Sequence, residues 1–178
     1  TADAGSGYAV CDLGFTRVAV INLIGRVYMP EAGDPFSAAD RLVEKAKSDG
    51  IGIIVVDFHA EATSEKRVLA EYLDGRVSAV FGTHTHVATA DECILKNGTG
   101  FITDIGMTGP IDSVLGVKTE LSLRKIREDA TVKFELADGP CRIDCVIFTI
   151  NKATGKALTV KRLSVNENDL KTYGRINK

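Results

Sequence analysis

The sequence predicts an α/β protein with a parallel core and an antiparallel C-terminal end. Three observations carry that prediction. Residues 51–58 and 77–81 are apolar runs separated by a helical pattern, which reads as a strand–helix–strand crossover between strands covered on both faces. Asn97-Gly98 lies between two short strand-like runs, the strongest short hairpin signal. Residues 131–136, 142–151 and 156–165 then read as strands with no helix between them, so they pair antiparallel.

In chain order, residues 1–7 are small and polar and read as a linking segment. Tyr8–Asp12 and Arg17–Ile24 read as a hairpin around Leu13-Gly14-Phe15-Thr16. Residues 25–33, with Pro30, form a loop. Asp34-Pro35 starts a helix, with Asp as N-cap and Pro at the first helical position. Its stripe is Phe36, Ala39, Leu42, Val43 and Ala46, and Gly50 stops it. A second helix, capped by Thr63 or Ser64, runs to Leu73 and ends before Gly75. The hairpin pairs residues 92–95 with 100–103. Residues 104–117, with Gly106, Gly109, Pro110 and Gly116, form a long loop of the kind that often carries function. Residues 120–128 form a third helix, and Ala153-Thr154-Gly155 turns between the last two strands. Residues 166–178 read as a polar tail or an oligomer contact within one domain spanning 1–178.

Composition removes several function classes. A net charge of −2 gives no electrostatic footprint for duplex nucleic acid. No apolar run is long enough to span a membrane, and the opening residues have no signal-peptide pattern, so the expected location is cytoplasmic. The four cysteines form no C-x-x-C pair and read as buried or half-buried free thiols.

All three histidines fall at two strand ends. His59 follows the 51–58 run, and His84 and His86 follow the 77–81 run. Carboxyl ends of strands are where open α/β sheets build their sites. In an extended segment, side chains two apart point the same way, so His84 and His86 can share a cleft with His59. Imidazole is the commonest protein ligand for zinc, iron and similar metals. The ordinary alternative is three hydrogen-bonded histidines with no ligand role.

Longer motifs sharpen this reading. Val56-Asp57-Phe58-His59-Ala60-Glu61-Ala62-Thr63-Ser64-Glu65-Lys66 resembles the YmdB-type branch of the calcineurin-like metallophosphoesterases. So do Gly82-Thr83-His84-Thr85-His86-Val87 and the block from Ile102 to Pro110, in the same order and spacing. The resemblance implies a four-layer α/β/β/α sandwich and two neighbouring divalent metals, iron or manganese rather than magnesium, with zinc also accommodated. It makes His59 and His84 ligands of one metal and His86 a ligand of the other. The implied reaction is hydroxide attack on a small phosphodiester such as a 2′,3′-cyclic nucleotide, in a homo-oligomeric enzyme. Glu61, Thr85, Asp104, Met107 and Thr108 are then candidates to border the substrate; Glu61, Ser64 and Lys66 also carry the ordinary reading of helix capping and first-turn charge.

The family's N-terminal blocks are not found here: the Gly-Asp strand end, the Asn-Gly-Glu-Asn-type block and the Gly-Asn-His block with the acid-base histidine. Asn22 and Asn97 match the amide ligand by residue type only. The chain thus reads as the C-terminal two-thirds of a family member, with no catalytic acid-base residue of its own. Three rival readings are a mononuclear zinc hydrolase built on the three histidines, a non-catalytic regulatory domain and, weakest because no glycine-rich loop opens a helix, a helix-capped phosphate-binding module.

Overall fold

The structure is a computed structural model and describes residues 6–29, 33–167 and 169. It is a mixed α/β fold with two sheets. The larger sheet has strand order β1-β2-β3-β4-β6-β5, where β1 is Tyr8–Asp12, β2 Arg17–Ile24, β3 Ile53–His59, β4 Ala79–Thr83, β5 Cys93–Ile94 and β6 Gly100–Ile102. Strands β2, β3, β4 and β6 run parallel, and β1 and β5 are antiparallel edges. The smaller antiparallel sheet joins β7 (Thr108–Pro110), β8 (Cys141–Ile150) and β9 (Ala157–Asn166).

Alternation along β3 decides what faces what. Ile54, Val56 and Phe58 belong to one buried cluster with Ala39 and Val43 of helix α1 (Pro35–Ser48) and Leu69 and Leu73 of helix α2 (Thr63–Leu73). Full burial of each of these valine, leucine, isoleucine or phenylalanine side chains contributes about 1.5–3 kcal/mol. The intervening residues, Asp57 and His59, therefore face away from the helices. On that side Phe81 meets Phe148 of β8 at 6.4 Å between centroids, so the sheets pack face to face. A Cβ on Gly100 would lie 2.7 Å from the Phe148 ring, which is why the strand carries glycine at this crossing.

The Asp34 cap forms as expected, accepting from the Phe36 and Ser37 amides. Five expectations need correction. Ala62, with no side-chain cap, occupies the N-cap of α2 in place of Thr63 or Ser64. The 104–117 loop contains β7 and a bridge pairing Val114 with Val117. Residues 131–136 form no strand: Leu136 makes a single bridge to Val117 and every residue but the half-buried Val132 is exposed, so the apolar alternation lacked a partner strand. Asn166 closes β9 rather than opening a tail; the segments 1–5 and 170–178 lie outside the described residues. All four cysteines are free, but Cys11 and Cys141 are exposed rather than buried. Among the described residues no helix is long and apolar enough to cross a membrane.

Candidate functional site

Register builds the site. Asn22 pairs with Asp57, and His59 pairs with Thr83, at the carboxyl ends of β2, β3 and β4. Asn22 donates to Asp57 Oδ2 at 2.9 Å, and the Thr83 hydroxyl donates to Asp57 Oδ1 at 2.8 Å. Thr83 has then spent its only proton, so its oxygen accepts from His59 Nδ1–H at 3.1 Å. His84 Nε2 faces the Glu61 carboxylate at 3.1 Å, and a carboxylate only accepts, so that nitrogen carries its proton.

These outer partners leave the two inner nitrogens as lone pairs in the neutral rings. His59 Nε2 and His84 Nδ1 lie 3.0 Å apart, in rings nearly perpendicular at 89°. Facing lone pairs repel unless a cation lies between them. With metal–nitrogen bonds of about 2.0–2.1 Å, two ligands of one metal stand roughly 3.0–3.4 Å apart, so the pair fits one edge of a coordination shell. Carboxylate and hydroxyl partners on the outer nitrogens are the usual way such ligands are oriented. Among the described residues, however, no group of three or more His, Cys, Asp or Glu forms a metal cluster. The residues therefore fit part of a metal site.

His84 and His86 do share a cleft with His59, but not by the expected route. Both sit at positive φ, 111° and 65°, so the segment is turned rather than extended. Such backbone costs on the order of 1–3 kcal/mol per residue and persists only where neighbours enforce it. Asp104 is the neighbour. Its carboxylate accepts from the Thr85 amide between the histidines at 3.1 Å, from the Gly106 amide at 3.0 Å and from Lys66 Nζ at 2.8 Å. Burial pushes the Asp104 carboxyl up, but Lys66 and the two amides outweigh it and hold it below the ordinary 3.8. Lys66 reaches this spot because residue 82 is glycine: a Cβ there would meet Lys66 Cδ at 2.7 Å and the Thr103 carbonyl at 1.8 Å.

The sequence-derived candidates now separate. Glu61 backs His84, and Met107 and the exposed Thr108 line the cleft. Asp104 is buried beneath the loop and accepts from the Thr85 amide; the cleft is lined by other residues. Lys66 is neither a cap nor a surface charge, and Ser64 is exposed on α2. Asn97 lies at the β5–β6 turn, bound to Asp74. Sequence reasoning missed Asp57 and Thr83; the signal for Asp57 was a carboxylate interrupting an apolar strand two residues before His59, on the same face.

A family model described as YmdB-like protein matches residues 1–163. The chain belongs to the YmdB-like family. This YmdB-like chain is 43% identical over 166 residues to a 2′,3′-cyclic-nucleotide 2′-phosphodiesterase of Bacillus subtilis, covering 93% of the chain and 62% of that relative. It is 34% identical over 168 residues to a putative phosphatase/phosphodiesterase of Mycoplasma pneumoniae, covering 93% and 59%. It thus spans about three-fifths of the length of these curated relatives. Two crystal structures superpose with TM-scores of 0.83: a hypothetical protein of Thermus thermophilus (38% identity, 92% of this chain and 63% of that one) and a novel phosphatase of Mycoplasma pneumoniae (33%, 92% and 58%).

Proposed function

We propose that this chain supplies the imidazole side of a dinuclear-metal phosphodiesterase that cleaves a small phosphodiester such as a 2′,3′-cyclic nucleotide. The observation that carries the reading is the 3.0 Å approach of His59 Nε2 to His84 Nδ1, with both outer nitrogens already committed. The names of the relatives support the substrate class. No lysine or arginine is among the described residues lining the cleft, so a phosphate there needs positive charge from another source. Iron or manganese, with zinc also accommodated, would supply that charge, polarise the phosphoryl oxygens and furnish a nucleophile at neutral pH.

The chain's own residues divide the remaining work. His59 and His84 hold one cation, and His86 reaches a second from the same loop. Asp57 through Thr83 fixes the His59 ring, and Glu61 fixes His84. The anionic ligands and the acid that protonates the leaving oxygen are assigned to the part of the relatives' length that this chain does not span. Completed by that part, the two sheets and their helices form the four-layer sandwich. The test measures metal content by mass spectrometry and turnover of 2′,3′-cyclic AMP, on this chain and on a polypeptide completed to its relatives' length. Two metals and turnover are expected only in the completed form, and His84→Ala removes both. Turnover that survives His84→Ala, or saturation at one metal, contradicts the assignment.

A further inference from the structure

Away from the histidines, and beside the hydroxyls of Thr83 and Thr108, the cleft presents an apolar wall of Met107, Pro110, Leu115 and Leu136. Three features show that this surface is built. Leu115 and Gly116, at φ 53° and 94°, are the two central residues of a tight hairpin closed by Val114–Val117 bonds of 2.9 and 3.0 Å. Turns with two positive φ values favour Asn, Asp or Gly, and a leucine Cβ crowds the following carbonyl there. The protein nevertheless keeps an apolar side chain at this tip and leaves it 50% exposed.

Leu136 is 79% exposed, yet its backbone is pinned by Ala137 N–H donating to the Gly116 carbonyl at 2.9 Å and Lys118 N–H to Glu135 at 3.1 Å. Met107 lies over this turn where glycines leave it room: its Cε lies 2.6 Å from where a Gly109 Cβ would sit and 3.9 Å from that of Gly116. Exposed apolar groups presented from a hydrogen-bonded backbone beside polar ones mark a ligand surface. The cleft, about 440 Å³, is of small-molecule size. A thioether with two leucines suits the face of a flat ring, since sulfur–aromatic contacts are favourable.

Resting on the phosphodiesterase reading, we infer that Met107, Leu115 and Leu136 seat the planar, uncharged ring of the ester, a nucleobase or aryl group, and set a preference for such phosphodiesters over alkyl ones. The probe is adenosine, which carries a ring and no phosphate, titrated into the metal-free full chain with 13C-labelled Met and Leu methyls. Adenosine is expected to move the Met107 and Leu115 methyl signals. Leu115→Gly, which suits the left-handed backbone and so preserves the fold, is expected to weaken binding roughly three- to tenfold through lost apolar contact. Met107→Gln gives a second reading at the same wall, and in both variants the metal-binding residues are untouched. No shift at these methyls, or unchanged affinity in both variants, overturns the seat. Because neither metal nor turnover enters, a chain that seats adenosine while its completed form hydrolyses no phosphodiester overturns the catalytic reading alone.

Discussion

Two side-chain pairs touch the segment that carries His84 and His86, and burial separates their roles. Lys66 and Asp104 meet at 2.8 Å with side chains 1% and 0% exposed. His84 and Glu61 meet at 3.1 Å with side chains 35% and 49% exposed. In the first pair both groups have given up water, so each depends on the other and on the amides of Thr85 and Gly106. In the second, water screens the partners, and the contact adds little to folding. What it adds is orientation, because it decides which nitrogen of His84 faces His59. The buried pair shapes the loop and the exposed pair aims the His84 ring.

The largest expected effect comes from breaking the buried pair. Lys66→Met leaves the Asp104 carboxylate uncompensated and should cost about 3–5 kcal/mol in urea unfolding. Acid should act on the same group. The folded Asp104 carboxyl lies below its ordinary 3.8, so its contribution is complete above that value and is lost as pH falls through the folded value. Thermal melts of the wild type should therefore fall in the window below about pH 3.8, and Asp104→Asn should flatten that fall while lowering stability at neutral pH. Equal stability of wild type and Lys66→Met would break the contrast between the pairs.

A smaller effect on folding, but a specific one on the site, is expected from the exposed pair. Glu61→Gln should change unfolding free energy by no more than about 1 kcal/mol. Metal affinity, read by competition with a chromophoric chelator, should weaken roughly 10–100-fold, the usual cost of losing a group that orients a ligand histidine. A loss of stability comparable to that of Lys66→Met, with affinity unchanged, would show that the two pairs do the same work.

Most of the fold was legible because its signals are local. The Asp34-Pro35 start, the apolar runs of β3 and β4 and the Asn97-Gly98 turn each specify their element within a few residues. Residues 131–136 misled because alternation describes a half-covered strand only when a partner is present, and β7, β8 and β9 close their sheet without that segment. The site was legible as three histidines at two strand ends. Its geometry was not, since positive φ at His84 and His86 is imposed by Asp104, nearly twenty positions downstream. Lys66 was equally hidden: its sequence neighbours mark a helix surface, and only the packing of Gly82 against Thr103 shows why it turns inward. The Asp57–Thr83–His59 chain crosses two strands, and it needed the β3–β4 register before its members could be joined.

The most direct test of the central claim, that His59 Nε2 and His84 Nδ1 form one edge of a metal site, is nitrogen-15 NMR of the histidine-labelled chain titrated with Zn²⁺. The account predicts that these two nitrogens shift together on metal addition, while His59 Nδ1 and His84 Nε2 keep their protons toward Thr83 and Glu61. Metal-induced shifts at His84 Nε2 instead, or no coupled change in the two rings, would contradict it.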